Sequence, residues 1–304
     1  MLLCLHPSAI VIAYCGLCLK PDAANCTAFL LPAVSFCEKT DAMMRNQHKN
    51  NDNAQDIAIV IPARRAATRL PDKPLADIAG KPLIQHVWER AMEADLGPVI
   101  VAVDDAEIAD VIQQAGGISI LTDSALPSGS DRIAAALAEY DPNQKYQHLI
   151  NLQGDLPDLD PRAISVLADL LKTGRYALTT LVAPATPEEV QRSQVVKAAI
   201  AWHETALCGT ATGDALYFSR AAIPHGETTK WHHIGLYGWQ RDALTRFVGL
   251  PPSPLEISEK LEQLRALEAA MPIGVGMLDS APGGVDTPED LEAARIRMAK
   301  PSGE

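Results

Sequence analysis

The chain has 304 residues, of which 47% are hydrophobic and 21% charged, and its formal net charge is −12. This composition predicts a globular protein and excludes general disorder, and the acidic balance argues against a broad nucleic-acid-binding surface, which needs a basic face. Residues 57–304 contain no apolar run of the eighteen or more residues that a membrane span needs. We therefore expect neither a nucleic acid nor a membrane as a partner of this region.

Residues 1–56, which we call the leader, differ in composition from the rest of the chain. Five of the six cysteines lie in the leader, and their spacing leaves open a zinc site or, as we favour, incidental thiols. Residues 1–19 resemble a signal peptide, but no basic residue precedes the apolar run and no cleavage site is clear. Residues 40–56 are polar and predict disorder. Since Met43 and Met44 stand shortly before the first strand, we expect translation to start there. The folded domain is predicted to span residues 57–300.

That domain opens with an apolar strand and a basic loop. Residues 57–62 form an apolar run of the right length for a buried parallel strand. The following residues, 63–82, carry five basic and two acidic side chains, and their prolines prevent a continuous helix. Ligands of open α/β sheets bind at the carboxyl ends of strands, where this basic loop lies. Its arginines and lysines suit the oxygens of a polyphosphate, although a solvated charged loop has the same composition.

Predicted helices and strands then alternate. In chain order they are a helix at 82–95, a strand at 99–103, a helix at 106–115, a strand at 118–121, a helix at 133–139, a strand at 148–152, a helix at 161–172 and a strand at 177–183. This alternation predicts an α/β fold with a Rossmann-like, mainly parallel sheet flanked by helices.

The alternation weakens after residue 183. Strands are predicted at 195–202, 214–219 and 234–239, followed by a helical segment at 253–270, a strand at 273–277 and a last helix ending near residue 298. The irregular connections predict a smaller antiparallel arm or lobe around residues 205–270 that covers a substrate and pairs with a second subunit. Thr287, Pro288 and Asp290 fit a capping box at the start of the last helix.

Three polar motifs lie where ligands bind in such a fold. The SGSDR motif at residues 128–132 opens a helix whose first backbone N–H groups are free for a ligand, although an ordinary helix cap has the same sequence. The QGD motif at 153–155 follows a buried strand directly. Its Asp155 is a candidate ligand for Mg²⁺, with a turn-forming aspartate as the alternative. Asp286 stands just before the capping box, where a merely helix-associated carboxylate is the alternative.

Taken together, these motifs resemble those of a known family. IPAR at 61–64, TRLPDKPL at 68–75, IAGKPLI at 78–84, SGSDR, QGD and GVDTPEDL at 284–291 are similar to the motifs of the 3-deoxy-manno-octulosonate cytidylyltransferase (CMP-Kdo synthetase) family. The resemblance is collinear from about residue 57 to residue 298. It implies transfer of CMP from CTP to the acidic sugar 3-deoxy-manno-octulosonate (Kdo), for lipopolysaccharide precursor synthesis, by a cytoplasmic homodimer that uses Mg²⁺.

The resemblance also implies roles for individual residues. The expected catalytic residues are Arg64, Lys73, Asp155 and Asp286, and the two aspartates are the expected Mg²⁺ ligands. The expected nucleotide-binding residues are Arg64, Arg69, Lys73, Ser128, Gly129, Arg132, Gln153 and Asp155. The expected sugar-binding residues are Arg220, His233, Tyr237, Glu262 and Gln263.

Alternatives to these assignments remain open from the residues alone. His233 lies beside aromatic residues and is equally compatible with a core histidine, and Glu262 and Arg265 are compatible with solvated helix positions. The alternative functions are a cytidylyltransferase for another acidic sugar, such as sialic acid or an amino-substituted Kdo, and a catalytically silent nucleotide-binding protein.

Overall fold

The computed structural model describes residues 5–6, 9–10, 56–66, 69–206 and 209–299. Contacts divide the chain into two units, residues 1–54 and 55–304. In the first unit, Leu5–His6 pairs antiparallel with Ala9–Ile10. The expectations for a zinc site, a signal peptide, disorder and the start of translation concern the leader. Most of the leader lies outside the described residues, so these expectations stay predictions. No helix in the described part of the chain is long and apolar enough to span a bilayer.

The second unit is built on one nine-stranded sheet. Its strands are β1 (Ile57–Ala63), β2 (Val99–Val103), β3 (Ile118–Leu121), β4 (His148–Asn151), β5 (Leu178–Pro184), β6 (Lys197–Trp202), β7 (Thr212–Ser219), β8 (Trp231–Gln240) and β9 (Ile273–Met277). The helices are α1 (Leu83–Glu93), α2 (Ala106–Gln114), α3 (Gly129–Tyr140), α4 (Pro161–Lys172), α5 (Pro187–Gln191), α6 (Arg241–Val248), α7 (Pro254–Glu259), α8 (Gln263–Glu268) and α9 (Pro288–Ala299). Within the basic loop, Lys73–Leu75 forms a 3-10 helix and Asp77–Ile78 pairs with Lys81–Pro82.

The sheet is mixed, which corrects the expectation of a mainly parallel one. Its strand order is β6-β7-β9-β5-β8-β4-β1-β2-β3. Strands β4, β1, β2 and β3 run parallel, as the alternating sequence predicts. The long strand β8 inserts antiparallel between β4 and β5, and β9, β7 and β6 extend the sheet with one parallel and two antiparallel pairings. Sequence periodicity reports which segments are strands but not where a later strand inserts.

Both faces of the sheet are covered, which explains the uninterrupted apolar run of β1. Ile57, Ile59 and Ile61 pack into a core with α1, α2, α4 and α9. Ala58 and Val60, which point to the opposite face, pack into a second core with α3, α6 and α8. A strand buried on both faces has no polar side to alternate with. The α/β architecture predicted from sequence is therefore confirmed, although its sheet is mixed.

The predicted arm is part of the main sheet. Strand β6 pairs with both β7 and β8, so β6, β7, β9, β5 and β8 form a closed ring of strand pairings. The single helical segment expected at 253–270 is two short helices, α7 and α8. The chain breaks between them at Lys260, which has a left-handed φ of 56° that ends a helix. This break places Glu262 at the N-cap of α8, beside the sheet.

Candidate active site

Two adjoining cavities lie at the carboxyl ends of β1 and β4. Cavity A, of about 470 Å³, is lined by the basic loop, the first turn of α3 and the QGD motif. Cavity B, of about 660 Å³, is lined by β8, residues 189–196, residues 261–263 and the segment before α9. The two cavities share four lining residues, which are Arg69, Gln153, Asp155 and Asp286. A ligand in one cavity therefore meets a ligand in the other beside two carboxylates.

Asp155 and Asp286 converge on one lysine. The Nζ of Lys73 lies 2.9 Å from Oδ2 of Asp155 and 2.9 Å from Oδ1 of Asp286. A backbone hydrogen bond joins the two acidic segments, because the N–H of Val285 donates to the carbonyl of Asp155 at 3.0 Å. Val285 is fully buried, which fixes the residue that follows it. The fold thus brings together two aspartates that lie far apart in the sequence.

The local sequence explains how each aspartate is held. Gly154 lies so close to β1 that a Cβ there would stand 3.2 Å from the carbonyl oxygen of Pro62, so a side chain would require a small shift of the QGD motif relative to β1. At the other segment, Thr287 and Asp290 form the predicted capping box, with N–H to side-chain distances of 3.0 and 3.2 Å. Asp290 also accepts the N–H of Asp286 at 3.1 Å, which orients the catalytic candidate.

The basic loop divides its cations between the cavity and the scaffold. Arg64 and Arg69 are exposed and line cavity A, and Arg69 lies 3.1 Å from Asp286. Arg65 instead donates to Asp72 at 2.8 Å and to two acidic residues at the start of α2. Asp72 has a left-handed φ of 54° and directly precedes Lys73. Arg65 therefore braces the turn that presents Lys73.

We call the four lining residues common to both cavities the shared wall, and Lys73 interacts electrostatically with its two aspartates. Burial disfavours the charged form of Lys73, but Asp155 and Asp286 outweigh it and raise the pKa of Lys73 above its ordinary value. Burial would raise the pKa of Asp286, yet Lys73 and Arg69 lower it. At neutral pH this region therefore holds an ammonium group beside the ionised carboxylate of Asp286. Such a cluster suits a ligand that brings both phosphate oxygens and a divalent cation.

The donor set at the shared wall fits Mg²⁺. The described residues contain no group of three or more His, Cys, Asp or Glu side chains that could hold a metal ion by themselves. Asp155 and Asp286 offer carboxylate oxygens at a cavity wide enough for a nucleotide. Magnesium prefers oxygen ligands and usually binds through one or two carboxylates together with substrate phosphates. Two aspartates are therefore a sufficient protein contribution.

The first turn of α3 combines capping with access to cavity A. Ser128 is the N-cap, and its hydroxyl accepts the N–H of Asp131 at 3.2 Å while Ser128 and Gly129 line the cavity. The ordinary-cap alternative and the ligand-binding prediction are thus compatible. Arg132 also lines the cavity, but it is buried and lies 3.5 Å from Asp104. The Arg132 guanidinium therefore makes a structural contact in addition to lining the cavity.

Cavity B gathers four of the five predicted sugar-binding residues, which are His233, Tyr237, Glu262 and Gln263. The Nε2 of His233 lies 2.9 Å from the Thr180 hydroxyl, and burial lowers the pKa of His233 to about 3. Burial, helped by the charge of Glu262, raises the pKa of Tyr237. Both rings are therefore neutral at pH 7. His233 is a core histidine with one satisfied nitrogen, and it also lines the cavity.

Arg220, the fifth predicted residue, does not line either cavity. Its guanidinium donates to the carbonyl oxygens of Glu259, Ser193 and Lys260 at 2.7 to 3.2 Å, because α7 ends directly against it. The expectation that Arg220 faces the sugar site is therefore not met by this geometry. Arg265, considered as a solvated position, is buried and paired with Glu256 at 2.5 Å.

Sequence reasoning missed other polar residues of cavity B, among them Glu189, Arg192, His232 and Arg297. Glu189 belongs to a capping box at α5 and lies 3.1 Å from Nδ1 of His232. Arg297 is paired with Asp158 at 2.7 Å. The TPEE sequence at 186–189 was the available signal for α5, but nothing in it indicates that the helix borders a cavity.

Comparison with known proteins gives a consistent result. Residues 58–273 match the protein family described as Cytidylyltransferase. The chain is 54% identical to the 3-deoxy-manno-octulosonate cytidylyltransferase of Parvibaculum lavamentivorans, over 80% of this chain and 93% of that protein. It is 52% identical to the protein of the same name from Rhodospirillum centenum, over 81% of this chain and 94% of that protein.

A solved structure shares the fold over most of this chain. The structure of CMP:2-keto-3-deoxy-manno-octonic acid synthetase complexed with CTP has a TM-score of 0.73 and 37% sequence identity to this chain, covering 80% of this chain and 98% of the other. The family match includes the basic loop and the QGD motif and ends at residue 273, before Asp286. The chain therefore belongs to the 3-deoxy-manno-octulosonate cytidylyltransferase family.

Proposed function

We propose that this protein transfers CMP from CTP to Kdo, forming CMP-Kdo and pyrophosphate for lipopolysaccharide precursor synthesis. The observation that carries the proposal is that cavity A and cavity B share Asp155 and Asp286. A reaction that joins two substrates gains most of its rate from holding them in contact at the reacting atoms. The names of the relatives and the CTP bound to the related structure supply the identity of the two substrates.

Cavity A is the proposed nucleotide site. The guanidinium groups of Arg64 and Arg69 offer paired donors to phosphate oxygens, and the free N–H groups of α3 lie at Ser128 and Gly129. Gln153 adds a side-chain amide at the wall shared with cavity B. Placed this way, the triphosphate directs its innermost phosphate towards Lys73 and the two aspartates.

The proposed reaction is an in-line displacement at the α-phosphorus. The anomeric hydroxyl oxygen of the sugar forms the new P–O bond, the bond to the bridging oxygen of the β-phosphate breaks, and pyrophosphate leaves with that electron pair. The hydroxyl proton passes to solvent, and we assign no protein group as general base. Lys73, kept protonated by its two partners, stabilises the negative charge that develops on the phosphate oxygens.

We propose that Asp155 and Asp286 hold Mg²⁺. A bound Mg²⁺ would neutralise charge at the α-phosphate and make the sugar hydroxyl more acidic. The chain itself contributes the fixed position of the two carboxylates, through the close approach at Gly154 and the buried Val285. Removal of divalent ions with a chelator is expected to abolish turnover, and activity that persists without them would contradict this assignment.

Cavity B is the proposed sugar site. A sugar acid requires hydrogen-bond partners for its hydroxyls, and the neutral His233 and Tyr237 together with Glu262 and Gln263 provide both donors and acceptors. Binding of the sugar carboxylate by Arg220 remains part of the proposal. It requires the Arg220 guanidinium to exchange at least one of its three carbonyl partners for the substrate.

We also propose a cytoplasmic homodimer. CTP is an intracellular nucleotide, which supports the location. The family resemblance supports the homodimer, and the exposed apolar side chains Leu216 on β7 and Ile257 on α7, with 61% and 64% of their surface exposed, are candidates for burial by a second subunit. Sedimentation equilibrium is expected to give twice the chain mass, and a monomer at micromolar concentration would contradict the dimer.

The test of the reaction is pyrophosphate release from CTP with a panel of sugar acids. We expect rapid release with Kdo and slow release with sialic acid and an amino-substituted Kdo. Faster turnover of one of these would transfer the proposal to that sugar. A protein that binds CTP in a titration but releases no pyrophosphate with any sugar would be a nucleotide-binding protein without this activity.

A further inference from the structure

Cavity A and cavity B are linked by a second contact besides the two aspartates. The hydroxyl of Ser130 donates to Oε2 of Glu262 at 3.1 Å, across 132 positions of sequence. Ser130 lies in the first turn of α3 and only 3% of its surface is exposed. Its neighbours Ser128 and Gly129 line cavity A, whereas Glu262 lines cavity B. One hydrogen bond therefore joins the walls of the two cavities.

Glu262 depends on this contact for its position. Its other oxygen, Oε1, is buried and has no hydrogen-bond partner among the described residues. The nearby Arg265 donates instead to Glu256, at 2.8 Å. Burial raises the pKa of Glu262, and the hydroxyls of Ser128 and Ser130 oppose that rise. The Ser130 hydroxyl is thus the hydrogen-bond donor that the described residues offer to this carboxylate.

The free oxygen of Glu262 is an acceptor that a ligand in cavity B can satisfy. A buried polar atom without a partner costs free energy, and a hydroxyl that donates to it recovers that cost. The direction of the carboxylate decides whether that hydroxyl is reached. Ser130 fixes the opposite oxygen of the Glu262 carboxylate. The direction in which the free oxygen of Glu262 faces cavity B therefore depends on the position of the first turn of α3.

We propose that Ser130 is a positioning residue that couples CTP binding in cavity A to sugar binding in cavity B. A nucleotide that binds the first turn of α3 fixes the position of that turn. The hydrogen bond from the Ser130 hydroxyl then fixes the position of the Glu262 carboxylate. The free energy of coupling is reciprocal, so the sugar also strengthens CTP binding by the same factor. This inference rests on the proposed function, since it takes CTP and Kdo as the two ligands.

A purely structural role for the Ser130 hydroxyl makes a different prediction. A bond that only stabilises the fold would change the stability of the protein or both affinities, but it would not change the factor by which one ligand alters the affinity for the other. The coupling factor is therefore the measurement that separates the two roles.

The experiment measures binding of Kdo by calorimetry, in the absence and presence of saturating CTP. A chelator is present, so no turnover occurs and no metal bridges the substrates. For the wild-type protein we expect CTP to increase the affinity for Kdo about tenfold, and for Ser130→Ala we expect an increase below about twofold. Ser130→Thr, which keeps the hydroxyl, should restore most of the coupling.

Ser219→Ala is the matched control. Ser219 is equally buried and donates to a glutamate, Glu259 Oε1, at 2.7 Å, but neither residue lines a cavity. We expect this variant to keep the wild-type coupling factor even where its stability falls. If Ser130→Ala does not fold, Ser130→Cys, a near-isosteric replacement with a weak donor, is measured in its place.

The outcomes separate the inference from the function on which it rests. Coupling in the wild type that persists in Ser130→Ala, or an equal loss in Ser219→Ala, would overturn the inference and leave the proposed function intact. Independent binding of CTP and Kdo to the wild type would also overturn the inference. Failure of the wild type to release pyrophosphate from CTP and Kdo when Mg²⁺ is present would overturn the proposed function itself.

Discussion

Cavity A and cavity B are built in different ways by the same chain. The walls of cavity A come from segments that directly follow a strand or open a helix in the alternating, parallel part of the sheet. Those of cavity B come from the middle of β8, the N-cap of α8 and the loop beside α5. Cavity A presents cations and the first turn of a helix, whereas cavity B adds two neutral rings and a buried carboxylate to a lining that carries charges of both signs. In the proposed function, charge therefore contributes most to holding the nucleotide in cavity A.

The largest expected effect comes from a substitution in the shared wall. We expect Asp155→Asn to lower turnover on the order of 100-fold or more, because a group that stabilises charge in the transition state is lost. The fold should persist, since the asparagine keeps the shape of the side chain. Steady-state pyrophosphate release and the thermal midpoint are measured on the same preparation.

Asp160→Asn is the control for Asp155→Asn. Asp160 is the exposed N-cap of α4 and lines neither cavity, so we expect normal turnover and a small loss of stability. Near-normal turnover of Asp155→Asn would contradict a catalytic role for Asp155.

Lys73→Ala tests whether charge dominates cavity A. We expect a 10- to 100-fold loss of turnover, since a hydrogen bond to a charged group contributes about 1.5–3 kcal/mol. Lys81→Ala is the matched control, because Lys81 belongs to the same loop but is exposed and pairs with Glu89 at 2.8 Å, outside both cavities. Equal losses of thermal stability and turnover in Lys73→Ala would indicate a structural role for this lysine.

The contrast also explains what the sequence revealed. Four residues of the candidate site lie next to residues that begin or end a strand or a helix, so local sequence patterns predict their place at one edge of the sheet. They are Arg64, Lys73, Ser128 and Asp155. The positions of Glu262 and His233 depend on how β8 inserts into the sheet and where α7 ends. No local pattern encodes either event, and these residues were identified only through the family resemblance.

The same limit applies to the fold. Strand and helix positions follow from apolar periodicity, and β2, β3, α4 and β9 have the expected bounds. The mixed sheet was not predicted, because strand order is set by contacts between distant segments. The break at Lys260 was missed as well, since a lysine carries no signal for a left-handed φ, unlike glycine.

Arg220→Gln sharpens the description of cavity B. Three backbone carbonyl oxygens would lose their donor, so we expect the free energy of unfolding to fall by about 1–3 kcal/mol. The Michaelis constant for the sugar is measured in parallel with chemical denaturation. A higher Michaelis constant with unchanged stability would show that Arg220 leaves its carbonyl partners and binds the substrate.

His233 provides the smallest and most specific test of the neutral character of cavity B. Its folded-state pKa of about 3 lies below the ordinary value of 6.5, so between these values the unfolded chain binds a proton that the folded protein does not. Stability should therefore fall as the pH drops below 6.5, by up to about 1.4 kcal/mol per pH unit from this group. His233→Gln cannot titrate and should show a correspondingly shallower decline between pH 7 and pH 5 in denaturant titrations. Parallel declines in the two proteins would mean that the ring of His233 is accessible to protons, and cavity B would then respond to charge as cavity A does.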